Sequence, residues 1–460
     1  MGLHPHATAS LTRQLTPSSP RDTDPTRDLG LLIILDAAPS RSRRWLAILA
    51  ERLSAAGHEV RMRALDRPPL PAAIGLIDRF ERITGRLSRL TLADDVAWST
   101  IAAPTVEGGP ARAASTDTLV LDLAPDAGSD QAATPAVTHR LTFDGIGDEA
   151  ALYHALLSHS PPRIALVHVA SGREVAAGTP SLEAAGTLAE GLEAAYARII
   201  TMIEAVAAGS RPAEGLAAAA SPGSPPAPFG TAAATRHILE AVKSMAVRRL
   251  YAFCCHIPHW RIGYRMNTGP GVWETGHLGG TPWRVLPDPG DRFYADPFPF
   301  VHEGRRCIFF EDFPHALGRG LISVVELAAD GRPGTPRPVL ETPWHLSYPS
   351  IFADQGEIWM IPESYSNRTV DLYRAERFPD RWVKQATLIS GPEISDATLV
   401  RHGGLYYLLG AAREGWGAWS DTLSIYVAET LLGPWRPHPA NPILIDGATD
   451  EAAEGIADNI

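Results

Sequence analysis

Three stretches of this chain can be laid over one another, and that internal repetition limits the possible fold more than any other feature. YADPFPFVHEGRRCIFFED, SYPSIFADQGEIWMIPES and SDATLVRHGGLYYLLGA share one internal spacing. Asp296, Tyr348 and Asp396 open the units 52 and 48 residues apart, and a glycine follows eight positions later in each: Gly304, Gly356 and Gly404. Each unit continues into a third apolar stretch (LISVVELAADG, TVDLYRAERF, LSIYVAETLLG) that carries Glu326, Glu376 or Glu429 at matching places. A fourth follows (PRPVLE, WVKQATLI, PILI). Four short strands in roughly 50 residues are the signature of a β-propeller blade, so residues 281–445 are expected to be blades.

The repeat also predicts where chemistry gathers. The first strand of a blade lines the central channel and the second runs antiparallel beside it, so the start of one meets the end of the other. The opening residue and the residue fifteen positions later then share a rim: Asp296 with Glu311, Tyr348 with Glu363, Asp396 with Ala411. His345, Arg413 and Trp416 are expected nearby. Crowded carboxylates push their pKa values apart, as paired acid and base work at a glycosidic bond requires. A plainer account stands beside this one. Blade-edge carboxylates also cap strand ends or pair with arginine, and Trp344, Trp359 and Trp382 also suit packing between blades.

Ahead of the repeat the pattern changes. LGLLIILDAAP is an apolar run of strand length, Arg41 to Ala56 has a helical apolar face ended by Gly57, and HEVRMRAL resumes as a strand. DTLVLDL, HRLTF and RIALVHV are further strands, and SLEAAGTLAEGLEAAYARIITMIEAV is a long helix. The expectation is a Rossmann-like α/β domain over 29–208 after a disordered leader, 1–28. DAAPSRSRR offers neither GxGxxG nor a P-loop, DGIGD reads as a turn, and a serine in Ser40 to Arg44 reads as a helix cap. An Ala/Pro/Gly/Ser linker is expected over 209–234, a helix and strand docking segment over 235–280, and a tail over 446–460.

Composition excludes several function classes. A formal charge of −11, with no Lys/Arg run, argues against nucleic acid or an anionic membrane surface as the main partner. Three cysteines without CxxC spacing indicate neither a disulfide framework nor a zinc site, so no metal and no cofactor are expected. The leader lacks a signal-peptide core, no apolar run is long enough to span a membrane, and His6 stands where a myristoylation signal has Ser or Thr. A cytoplasmic location is the expectation.

FYADPFPF, IFFED, HLSYPSIF, MIPES, LYRAERFPDRW and HPANPI resemble the N-terminal domain of plant glucosamine inositolphosphorylceramide transferase and its bacterial relatives, over about Trp260 to Ile443. That domain is in turn similar to the five-bladed propellers of glycoside hydrolase family 43. The resemblance implies Asp296 as general base and Asp396 as the aspartate that tunes the acid. The acid itself is expected one blade further on, where Glu454 lies near the right distance and Glu363 is the substitute. It also implies a propeller of three blades and a stub here, from a truncated chain or one completed by another chain. Relatives often carry a formyltransferase-like domain first, but its HPSLLP-like segment is absent. The expected function is binding, and hydrolysis or transfer, of a glycosyl unit of a surface glycan or glycolipid. The alternatives are a non-catalytic glycan-binding or scaffolding module assisting a glycosyltransferase, and a formyltransferase-like activity of the N-terminal domain.

Overall fold

The computed structural model describes residues 31–66, 72–84, 92–101, 105–106, 118–123, 138–158, 160–182, 187–209, 230–254, 259–267, 269, 271–278, 280–413 and 422–444. The leader, most of the linker, Trp416, Glu454 and the tail lie outside the described residues.

The N-terminal region is one seven-stranded sheet, β3-β2-β1-β4-β5-β6-β7. Its strands are β1 (Leu32–Ala37), β2 (Glu59–Ala64), β3 (Thr105–Val106), β4 (Thr118–Asp122), β5 (Thr138–Phe143), β6 (Ile164–His168) and β7 (Arg173–Gly178). Pairing is parallel from β3 to β5 and antiparallel from β5 to β7. Five of the six β1 residues are buried, which is what coverage on both faces demands of LIILDA. Helices α1 (Arg44–Ala55), α2 (Ala72–Thr84), α3 (Glu149–Leu157) and α4 (Leu188–Ala207) provide that cover. On α1 the buried side chains are Trp45, Leu46, Leu49, Ala50 and Leu53, and Gly57 (φ 91°) ends the helix in the left-handed region that a Cβ disfavours. The α1 N-cap is Arg43 with no side-chain cap bond, so the serine cap expected there does not form. Ser42 donates its hydroxyl to Pro39 O instead. DGIGD is a turn whose last residue, Asp148, caps α3 by accepting from Ala150 N. Asp36 and Asp122, at the carboxyl ends of β1 and β4, are taken by Arg63 and Arg140.

From residue 292 the described elements are strands, apart from one 3-10 turn at Tyr365–Asn367. Three four-stranded antiparallel sheets follow in sequence order. The first holds β10 (Arg292–His302), β11 (Arg305–Pro314), β12 (Leu321–Leu327) and β13 (Arg337–Leu340). The second holds β14 (Ser347–Asp354), β15 (Glu357–Glu363), β16 (Thr369–Arg377) and β17 (Arg381–Ser390). The third holds β18 (Glu393–His402), β19 (Leu405–Arg413), β20 (Thr422–Ala428) and β21 (Arg436–Pro437). The repeated glycines close the first hairpin of each sheet. Glu303-Gly304, Gln355-Gly356 and Gly403-Gly404 all have two positive φ values, the primed turn that matches strand twist. One expected strand is displaced. PILI is not the fourth strand of the third sheet; Arg436–Pro437 is, while Leu444 only bridges Leu423 and the Asn441 side chain grips both backbone groups of Ile425.

Apolar side chains pack each sheet on the next. Phe309, Val324, Met360 and Trp382 share one cluster, and Ile361, Leu372, Leu408 and the partly buried Trp359 share another. Trp344 joins the first, so these three tryptophans pack between sheets. Between the first and second sheets, Arg305 and Arg337 both hold Glu326, and Arg337 continues to Asp380 at 2.6 Å. Between the second and third, Tyr406 donates its hydroxyl to Asp354 at 3.0 Å, with Arg401 at 3.6 Å. A small pair of strands, β8 (Gly263–Tyr264) and β9 (Arg284–Val285), covers the other side of the first sheet through Ile262, Tyr264 and Leu286.

Because Asp354 is nearly buried and accepts from the neighbouring sheet, Asp354→Ala should cost about 1–2 kcal/mol. The urea midpoint should fall without a change of slope; an unmoved midpoint would show that the Tyr406 bond contributes nothing.

Candidate active site

The three residues that open the repeat share an unusual backbone. Asp296, Tyr348 and Asp396 have φ of 49°, 39° and 54°, in the left-handed region, and each sits where its ladder skips register. A non-glycine residue there costs on the order of 1–3 kcal/mol and persists only where its surroundings hold it. For Tyr348 and Asp396, carboxylates of the preceding sheet supply the hold. Asp296 Oδ2 accepts the Tyr348 N–H at 3.2 Å, and Glu363 Oε2 accepts the Asp396 N–H at 2.9 Å.

Register brings the second partner of each rim pair alongside. Ala295 faces Glu311, Ser347 faces Glu363 and Ser395 faces Ala411. Glu363 is buried with both oxygens engaged, Oε1 by the Ser347 hydroxyl at 3.0 Å and Oε2 by the Asp396 amide. Burial raises its pKa, opposed by hydrogen bonds from Asp396 and Ser347. Among the described residues Asp296 uses one oxygen only, and burial raises its pKa against the Tyr348 amide.

Glu311 is the outlier of the group. Burial, and then the charges of Asp296, Glu363 and Asp312, push its pKa up to about 8. Among the described residues its facing cation candidate is His345, with Nε2 3.4 Å from Oε1. His345 Nδ1 accepts the Gly320 N–H at 2.8 Å, which puts the neutral ring's proton on Nε2, toward Glu311. Burial lowers the His345 pKa and so favours that neutral form. Gly320 has no room for a side chain. A Cβ there would run into the Leu346 carbonyl oxygen and stand 2.8 Å from Glu311 Oε1 and 2.9 Å from His345 Cε1.

Of the residues expected at the rim, Asp296, Glu311, His345, Tyr348, Glu363 and Asp396 come together. The Tyr348 hydroxyl reaches Thr398 at 3.1 Å, and its ring stands edge-on to Phe298. Arg413 lies at the end of β19, 3.7 Å from Glu393, and its charge reaches Tyr365. Two participants went unread in the sequence. Tyr365, two positions after Glu363, lies within the fields of Glu363, Glu311 and Arg413, with its ring centroid 6.1 Å from that of His345. Gly320 had no counterpart in the other repeats to mark it. Among the described residues no cluster of His, Cys, Asp and Glu has the arrangement of a metal site.

Two outcomes follow from this geometry. Gly320→Ala should destabilise the chain by about 1–3 kcal/mol and displace Glu311 and His345, read as a lowered thermal midpoint; an unchanged midpoint would mean the contact relaxes freely. The raised Glu311 pKa means the folded state keeps a proton that the unfolded state releases. Its stabilising contribution is complete below the unfolded carboxylate range and fades as pH climbs toward about 8. Glu311→Gln should therefore gain midpoint over the parent across that window and level off above it, while a constant offset at all pH values would refute the raised affinity.

Comparison with known proteins supplies the remaining facts. Residues 288–456 match the family described as glucosamine inositolphosphorylceramide transferase 1, N-terminal. Over 153 residues, 33% of this chain, the sequence is 37% identical to glucosamine inositolphosphorylceramide transferase 1 of Arabidopsis thaliana and 35% identical to that of Oryza sativa subsp. japonica. The match spans 20% of the length of each relative. Among solved structures, a family 117 glycoside hydrolase of Zobellia galactanivorans is similar at 14% identity and a TM-score of 0.30, covering 34% of this chain and 58% of that one. A family 43 protein of Bacillus licheniformis is similar at 20% identity and a TM-score of 0.27, covering 35% of each chain. Both structural likenesses are shallow, and the strand pairing itself is the ground for the fold. The sequence match is closer, and residues 288–456 are similar to the family of glucosamine inositolphosphorylceramide transferase 1 N-terminal domains.

Proposed function

We propose that this chain handles carbohydrate in the cytoplasm, binding a glycosyl unit of a surface glycan or glycolipid in the carboxylate cluster and hydrolysing or transferring it without a metal or cofactor. On this reading the three sheets are consecutive blades of a family 43-like propeller. The N-terminal sheet is Rossmann-like, which its 3-2-1-4-5 strand order supports.

The observation that carries the reading is one carboxylate with an oxygen that no described group engages, across a single bulge from a buried second carboxylate whose surroundings push its pKa up to about 8. Asp296 is suited to take a proton from the acceptor, water or a sugar hydroxyl, as that oxygen attacks the anomeric carbon. Glu311 is suited to give its proton to the departing glycosidic oxygen as the carbon–oxygen bond breaks. Glu363 was the sequence's substitute for the acid, but its oxygens are already committed to Ser347 and Asp396. Its role is to hold the Asp396 bulge, and Tyr365, His345 and Arg413 supply polar and aromatic contacts for a sugar ring.

A panel of glycosides and glycolipids, assayed for released or transferred sugar, tests the reading. Asp296→Asn and Glu311→Gln should each lower turnover by about 10²–10⁴-fold. Parental turnover should fall at acid pH as Asp296 protonates and at alkaline pH as Glu311 ionises near pH 8. Full activity in Asp296→Asn would remove the mechanism.

A second reading has its own observation: the match is to an N-terminal domain and spans a fifth of each relative. A glycan-binding module that assists a glycosyltransferase fits that fact. Calorimetric titration separates the two, because a binding module loses affinity in Asp296→Asn and yields no product in either form.

A further inference from the structure

We propose that the helix joining the two regions, α5 (Thr231–Cys254), lies on an anionic lipid surface through an apolar stripe on its outer side. The inference is independent of the carbohydrate reading. Near its start α5 is anchored to the N-terminal core by Ala234 and Ile238, with His237 Nε2 3.2 Å from Glu81. A different side of the helix has no partner among the described residues. Leu239, Val242, Ala246, Leu250 and Phe253 fall within about 80° of arc at ~100° per residue. All five are exposed, with Leu239 at 64%, Leu250 at 67% and Phe253 at 90%.

This stripe belongs to a wider concentration. Of the seventeen exposed large hydrophobic side chains among the described residues, eleven lie between Leu239 and Val285, so the exposure is local rather than general. Aromatic residues recur in it, Tyr251, Phe253, Trp260 and Trp283, the type that settles where hydrocarbon meets water.

Charge selects the occupant. Residues 231–285 carry seven Lys and Arg against two Glu, a net +5, and the remainder of the chain carries −16. Lys243 and Arg249 flank the apolar stripe on opposite sides, both are exposed, and neither has an ion-pair partner among the described residues. Cations bordering an apolar stripe let the stripe enter the headgroup layer while their ends reach lipid phosphates. The same flanking cations would oppose each other across a seam between two copies of this helix. No described helix is long and apolar enough to cross a membrane, so α5 would lie in the plane of the surface.

The full chain should be sedimented with vesicles of phosphatidylcholine alone and of phosphatidylcholine mixed with phosphatidylglycerol. Binding is expected to the mixed vesicles, weakening with salt. Leu250→Ser with Phe253→Ser, and separately Lys243→Glu with Arg249→Glu, should each reduce it on the order of tenfold or more. Circular dichroism of both pairs should match the parent, since all four side chains are exposed. Equal partition onto neutral and anionic vesicles, no sedimentation with either, or indifference to the double substitutions would overturn the proposal. So would a dimer in sedimentation velocity that the Leu250→Ser, Phe253→Ser pair dissolves, which would make a second copy the occupant.

Discussion

An amide that has left its own ladder, and a carboxylate of the preceding sheet that catches it, organise the all-β region. At Tyr348 and Asp396 the strand skips register, the backbone enters the left-handed region and the N–H turns away from its ladder. Asp296 and Glu363 accept those two amides, so each contact links one sheet to the next. The contact also fixes where the acceptor carboxylate stands. Structural and chemical roles therefore divide by oxygen atom rather than by residue. Glu363 commits both oxygens to support, whereas Asp296 commits one among the described residues.

Gathering acidic groups in a buried place raises the free energy of their charged forms, and retaining a proton relieves it. The relief is unequal because the donors are unequal. Glu363 has a hydroxyl and an amide to stabilise its charge, while among the described residues Glu311 faces the His345 imidazole at 3.4 Å and three like charges. The imidazole stays neutral because it is buried and its Nδ1 already accepts from Gly320. Gly320 thus matters twice: its amide orients His345, and its missing side chain lets His345 and Glu311 approach.

What could be read from the sequence were features that each repeat writes independently. The glycine eight residues past the opener marks a turn with two positive φ values, and the opener marks the bulge, so their spacing survives in all three sheets. The recurring apolar stretches of the repeat located the long strands of these sheets. Features belonging to one unit alone were not legible. Tyr365 and Gly320 have no equivalents to align with, and the catching of an amide by a carboxylate 52 or 33 residues away leaves no local pattern. PILI shows the opposite failure. It has the composition of a strand, but the Asn441 side chain occupies the Ile425 backbone groups that a strand would pair with. In the N-terminal region the serine cap failed for a similar reason, since Ser42 turns back to Pro39 and leaves the cap position to Arg43.

Charge illustrates how a whole-chain quantity misleads about a surface. The formal −11 argues against an anionic partner only if the charge is spread evenly. Screening at physiological salt confines each surface charge to about 8 Å, so a partner meets the local sign and not the sum. Between residues 231 and 285 the local sign is positive, and the same segment holds most of the exposed large apolar side chains. Folding alone gives little reason to keep such a segment uncovered, because burying apolar area is the main gain available to a chain. In the proposed membrane-bound form the acidic remainder would be repelled by an anionic surface, which favours approach through the basic, apolar segment.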